Sequence, residues 1–208
     1  MMDEQLVAFA GARAQTRAAV APLTQEQLDF RPREGSWSIG EVADHLVLAE
    51  GLYRGEIERL IDMVQKGQRP YLKRTFSDVN VSPLHIPNGM LSLLDLPFGL
   101  VSRMIPQSVR SFVTEFPLLP TRNPDIATPC YGRPAAELRN ELDTSLARTR
   151  ALIQTNAAMD FTTMISEHPL TGATNVEQMI RFLTLHERRH HVQMERVRIN
   201  PRFPTAAS

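Results

Sequence analysis

Apolar side chains recur every three or four positions in four segments of the chain, which is the spacing of one buried helix face. The segments are 3–21, 39–66, 134–156 and one that begins near Thr174 or Asn175 and ends near Arg198. No segment shows the alternation of apolar and polar residues that indicates a strand. Four long helices with one apolar stripe each predict an all-α protein, a four-helix bundle.

The second helix has a clear start signal in the sequence. Ser38 precedes the first apolar residue of its stripe, and Glu41 follows three positions later. In a capping box, such a serine and glutamate satisfy each other's backbone N–H groups at the helix start. We therefore predict that Ser38 is the N-cap residue.

A proline-rich stretch, 68–133, separates the second and third helices and breaks the helical pattern. It holds nine of the fifteen prolines, which lack the N–H that a helix interior needs. An apolar run at 89–105 predicts a short helix that cannot span a bilayer. We expect an ordered flap that packs on the bundle, with an active-site lid or an oligomer contact as alternatives. The chain 1–208 is then a single domain carrying a 68–133 insertion, and a homodimer through helix faces or the flap is one arrangement it allows.

The net charge, the single cysteine and the N-terminal sequence bear on the partners and the location of the protein. Lys+Arg and Asp+Glu balance at 23 each, which gives no electrostatic case for a nucleic-acid or anionic-membrane partner. The single cysteine, Cys130, excludes an internal disulfide and fits a reducing compartment. The N-terminal residues lack the basic segment and apolar run of a signal peptide, and we find no apolar stretch of membrane-spanning length. These features predict a soluble, cytoplasmic protein.

The last predicted helix contains the candidate chemistry, in the letters HERRHH, 186–191. His186 and His190 lie one turn apart on the apolar stripe, so both side chains point inward and could share one metal ion. His186-Glu187-Arg188-Arg189-His190 also matches H-E-x-x-H, the zinc-protease motif. A third protease ligand is missing, because Gln193 and Arg196 stand where one group of these enzymes has Gly and His. Glu187 is expected to face away from the stripe.

A third ligand could come from another helix. His45 borders the apolar stripe of the second helix, between Val42 and Ala49. Three histidines on two helices would leave coordination positions open for water or substrate, as catalytic sites do. On spacing alone, inward histidines such as His45, His186 and His190 are more often hydrogen-bonded core or surface residues than metal ligands.

Three stretches resemble the DinB-like superfamily of DNA-damage-inducible four-helix bundles. WSIGEVADHL, 37–46, is similar to the tryptophan-serine helix opening and first ligand histidine of that family. HPLTGATNVEQMI, 168–180, is similar to the lead into its last helix, and HERRHHVQ, 186–193, to its final histidine pair and glutamine. The resemblance implies a divalent metal ion held by His45, His186 and His190, with His191 as a neighbour.

The resemblance also implies candidate activities. The family includes transferases and isomerases that use low-molecular-weight thiols, which suggests such a thiol as a cosubstrate. We therefore expect a metal-dependent thiol transferase or a hydrolase acting on a small molecule. A non-catalytic metal- or ligand-binding bundle and a metal-free bundle are the alternatives. The metal is open between Zn, Ni, Co, Fe and Cu, since three imidazoles suit them comparably.

Several other residues have simpler interpretations. Trp37 is expected to pack at the helix entry, and His85 and His168 are expected to lie in loops. Glu50 is expected on the surface. Gln193 fits either a hydrogen bond to a ligand histidine or a solvated position. Cys130 fits either a reactive thiol or a buried, inert one.

Overall fold

A computed structural model describes residues 1–74, 127–168 and 172–205. Within these ranges the protein is mostly helical, as predicted. The helices are α1 (Met2–Val20), α2 (Gln25–Asp29), α3 (Ile39–Gln65), α4 (Ala135–Thr155) and α5 (Val176–Arg198). The strands are β1 (Tyr71–Lys73), β2 (Ile165–His168) and β3 (Gly172–Asn175). None of the helices in the described part of the chain is long and apolar enough to cross a membrane.

The four long helices begin and end within about two residues of the predicted positions. The predicted capping box at α3 is confirmed, because Glu41 N–H donates to Ser38 Oγ (3.2 Å) and Ser38 N–H donates to Glu41 Oε2 (2.9 Å). The short helix α2 was not predicted. It has its own capping box between Thr24 and Gln27, but five residues are too few to show a helical period.

The expectation that the chain contains no strand was wrong. β1 pairs with β2 in parallel, and β2 pairs with β3 antiparallel, giving a three-stranded sheet in the order β1-β2-β3. Strands of three and four residues are too short for an alternating pattern to stand out in the sequence. Thr174 and Asn175, read as the start of the last helix, belong to β3 instead.

The described residues divide into two compact units. Of the described residues, the first unit comprises 1–55, 129–159 and 180–205, and the second comprises 56–74, 127–128, 160–168 and 172–179. The sheet belongs to the second unit, where Ser166 donates a hydrogen bond to Glu56 (2.8 Å) and Arg74 pairs with Glu56. That the whole chain forms one domain stays a prediction. Of the 68–133 insertion, 75–126 lies outside the described residues, and the predicted helix at 89–105 and His85 lie there too.

The core of the first unit draws on all four long helices and on α2. Its buried apolar residues are Ala19, Val20, Leu23, Leu28, Ile39, Val42, Ala43, Leu46, Val47, Leu142, Met194 and Val197. Trp37 packs against this cluster from the entry of α3, as predicted. The core therefore fixes the parts of α3 and α5 that carry the candidate histidines.

Candidate metal centre

His45, His186 and His190 come together in the first unit. His45 is 3% exposed on α3 and His190 is 6% exposed on α5, while His186 is partly exposed. The Nε2 atom of His186 lies 3.2 Å from Nε2 of His45 and 3.0 Å from Nε2 of His190. No carboxylate of the described residues belongs to this group.

The three imidazoles fit a divalent metal ion. A zinc–nitrogen bond of about 2.0–2.1 Å places two tetrahedral nitrogen ligands roughly 3.3 Å apart, close to the separations observed. If all three Nε2 atoms are unprotonated, their lone pairs face one another and repel. A central cation accepts all three lone pairs at once.

The surroundings keep two of these imidazoles neutral, which is the form that binds metal. Burial is the main cause that lowers the pKa of His190 to about 3, repulsion between the protonated forms of His190 and His45 adds to it, and the hydrogen bond to Gln193 opposes it. Burial also holds the pKa of His186 well below its usual value, with added repulsion from His190 and His45. Protons therefore compete weakly with a cation for these two nitrogens at neutral pH.

Gln193 orients one of the three rings. Nδ1 of His190 lies 2.8 Å from Oε1 of Gln193, one turn further along α5. Because an amide oxygen only accepts, His190 keeps its proton on Nδ1 and presents an unprotonated Nε2 to the other two histidines. Of the two interpretations of Gln193, the structure supports the hydrogen bond, which it makes to the candidate ligand His190.

Replacing Gln193 by methionine is expected to weaken metal binding about 10- to 100-fold, the usual effect of losing such an orienting partner. Gln193→Glu is expected to retain or strengthen binding, since a carboxylate accepts the same bond more strongly. Calorimetric titration of the metal-free protein with Zn²⁺ measures both. The exposed Gln154 on α4 supplies the matched control, Gln154→Met. Equal affinities for all four proteins would contradict a role for Gln193.

Aromatic rings surround the histidines. The Trp37 ring lies 5.0 Å from the His45 ring and 6.5 Å from the His190 ring, the latter nearly parallel. The Phe182 ring is nearly parallel to His186 at 5.5 Å, and the Tyr53 ring lies 5.0 Å from Phe182. Packed rings limit the rotation of the imidazoles and keep their nitrogens directed at one point.

Glu187, between the two α5 histidines, is not positioned to act as a base. It is 1% exposed, and its carboxylate accepts hydrogen bonds from Arg13 Nε (2.7 Å) and from the Thr16 hydroxyl. Glu187 was expected to face away from the apolar stripe. The implied exposure was wrong, because the residue is buried in the core. Its two oxygens bind α1 side chains there, so the H-E-x-x-H letters do not form a protease site.

Arg13 is the centre of a buried ionic network that the sequence analysis missed. It is 0% exposed and also donates to Glu50 Oε2 (2.9 Å) and to the Leu142 carbonyl (2.8 Å). Glu50 is likewise 0% exposed, so the predicted surface position was wrong. Burial by itself lowers the pKa of Arg13, but the charges of Glu187 and Glu50 outweigh it and raise that pKa.

The network also includes side chains of α4. The Thr149 hydroxyl donates to Glu50 Oε1 (2.6 Å), and Arg54 Nη1 donates to Ser145 Oγ (3.0 Å). Side chains of α1, α3, α4 and α5 are therefore joined by charge-assisted hydrogen bonds. A sequence signal existed: Arg13 and Thr16 fall on the α1 stripe with Leu6, Phe9 and Val20, where apolar residues are expected.

The remaining candidates are not members of the histidine group. Cys130 is exposed, not buried, and its backbone N–H donates to Asp44 Oδ2 (2.8 Å). Arg133 also pairs with Asp44. His191 is partly exposed and is not part of the group, as its position about 100° around the helix from His190 implies. His168 ends β2 and does not lie in a loop.

The described residues form a mostly helical protein with a group of three histidines, two of them buried, that could hold a metal ion. In a comparison with family models, residues 8–194 match the model described as the DinB superfamily. The chain belongs to the DinB superfamily, and the resemblance found in the sequence is confirmed. Searches of curated proteins and of solved structures found no match.

Proposed function

We propose that the protein is a metal-dependent enzyme that activates an incoming small nucleophile at a divalent ion held by His45, His186 and His190. The observation that carries the proposal is the convergence of three Nε2 atoms from two helices on one point. Three protein ligands leave at least one coordination position for a small molecule. Membership of a metal-binding superfamily supports the same conclusion.

An ion held by these residues would supply Lewis acidity, lowering the pKa of a bound thiol or water. The chain's own residues would bind and orient that ion. Gln193 holds the proton of His190 on Nδ1, and Trp37 and Phe182 pack on the ligand rings. Since the described residues place no carboxylate in the histidine group, we favour a low-molecular-weight thiol as the nucleophile, because a thiol needs less help from a protein base than water does.

Cobalt-loaded protein distinguishes the thiol-transferase proposal from its alternatives. Titration with glutathione or 2-mercaptoethanol is expected to produce sulfur-to-cobalt charge-transfer absorption, and the thiol is then expected to react with an activated aryl chloride. Cleavage of an activated ester without any thiol response would favour a hydrolase. Thiol binding without turnover of any electrophile would favour a non-catalytic binding protein. A cobalt spectrum that neither thiol nor pH changes would overturn the proposal of an open site.

The control is His191→Ala, which removes a neighbouring imidazole outside the histidine group. It is expected to give the same cobalt spectrum and thiol response as the native protein. A change in this variant as large as in His186→Ala would mean that the ligand set is wrong.

A further inference from the structure

Tyr53, Phe182 and His186 form a row of rings in contact, which we call the aromatic strip. The Tyr53 and Phe182 rings are 5.0 Å apart, and the Phe182 and His186 rings are 5.5 Å apart with 17° between their planes. All three side chains are partly exposed, whereas His45 and His190 are buried. The strip thus runs from the accessible ligand of the metal centre along α5 toward Tyr53 of α3.

Phe182 lies one helical turn before His186, about 40° further from the core side of α5. Neighbours on the core side, Met179 and Leu183, are 1% and 2% exposed and belong to the packed interior. Phe182 contributes less buried surface to the core than these two residues, since it remains partly exposed. Apolar ring surface left in water contributes nothing to folding, but a ligand that covers it gains the hydrophobic term.

The rings of the aromatic strip favour contact with a planar ring of a ligand. Aromatic rings favour other planar rings in offset or edge-to-face contact beyond what burial alone gives. The Phe182 ring packs on His186, the most exposed of the three histidines, and is therefore the ring that a small molecule held beside His186 would contact. Trp37 packs against the other two histidines, His45 and His190.

We propose that the aromatic strip is a subsite for a planar, aromatic or conjugated portion of a ligand whose polar head group binds the metal ion. This inference rests on the proposed function, because it requires an ion with an open coordination position. It adds a substrate class: a compound with a metal-binding oxygen or sulfur head joined by a short link to a flat apolar group. Aliphatic compounds with the same head group would bind less tightly.

Two hydroxamates that share a head group test the subsite on zinc-loaded protein. Benzohydroxamate has a planar ring and acetohydroxamate a methyl group, and calorimetry gives the ratio of their affinities. Phe182→Leu keeps an apolar side chain but removes the ring face, so the ratio is expected to fall about 2- to 10-fold. Tyr53→Leu, further along the strip, is expected to lower this affinity ratio less. It replaces Phe182→Leu as the test if that variant does not fold.

The matched control is Phe30→Leu. Phe30 is a partly buried ring of the same unit that packs on Phe203, 5.5 Å away. The affinity ratio in this variant is expected to equal that of the native protein. A ratio unchanged in Phe182→Leu and in Tyr53→Leu would overturn the subsite while leaving the metal centre intact. If zinc-loaded native protein binds neither hydroxamate, the open position is absent, which overturns the proposed function and this inference with it.

Discussion

Replacing His45 by alanine is expected to remove the metal ion almost completely. Native protein should contain about one divalent ion per chain and the variant close to none. Structural zinc sites with four ligands bind with about 10–16 kcal/mol, so one ligand contributes roughly 3–4 kcal/mol, or two to three orders of magnitude in affinity. Because His45 lies on a different helix from His186 and His190, its loss separates a true two-helix centre from a simple histidine pair on α5.

Elemental analysis of untagged protein measures this effect, and thermal unfolding with and without added Zn²⁺ measures it independently. Zinc is expected to raise the midpoint of native protein and not that of His45→Ala, since a ligand stabilises only the state that binds it. His191→Ala provides the control, as it removes an imidazole next to His190 and should retain the ion. Equal metal content in the native protein and His45→Ala would refute the three-histidine centre, and so would native protein that cannot be loaded.

The second large effect concerns the buried network. Arg13→Met is expected to destabilise the protein by about 3–5 kcal/mol, because Glu50 and Glu187 are left in the core without their cation. Glu187→Gln is expected to cost less, because the amide oxygen can still accept the Arg13 hydrogen bond while the amide NH2 donates to the Thr16 hydroxyl. Urea unfolding in the presence of a chelator measures these losses without a contribution from metal binding.

Arg17 supplies the matched control for Arg13, one turn along the same helix. It pairs with Asp143, but the two side chains are 51% and 47% exposed. Arg17→Met should therefore change the free energy of unfolding by less than about 1 kcal/mol. Similar losses for both substitutions would show that the buried network contributes no more than a surface ion pair.

The sequence predicts those features of the protein that depend on local spacing. His186 and His190 were found because a helix brings residues four apart to one side, and His45 because it borders an apolar stripe. The Ser38–Glu41 capping box is local as well. The metal-ligand interpretation gained weight only from the family resemblance, since spacing alone does not distinguish a ligand from a hydrogen-bonded core histidine.

The features that the sequence analysis missed depend on partners far apart in the chain. Arg13 and Glu187 are separated by 174 residues, and Arg13 and Glu50 by 37. A charged residue on an apolar stripe signals that a partner must exist, but the sequence does not say which carboxylate it is. The sheet was missed for a related reason, because strands as short as β1 depend on their neighbours for stability and not on their own pattern.

The histidine centre also joins two distant parts of the chain, as His45 and His186 are 141 residues apart. An ion bound there would act as a reversible cross-link. In the chain-entropy description, closing a loop of roughly 100 residues is worth about 4.7 kcal/mol. A chelator would then affect this protein as a reductant affects one held together by a disulfide. Copies that lack the ion would unfold more readily and be degraded sooner, so the supply of metal in the cell would help to set how much of the protein persists.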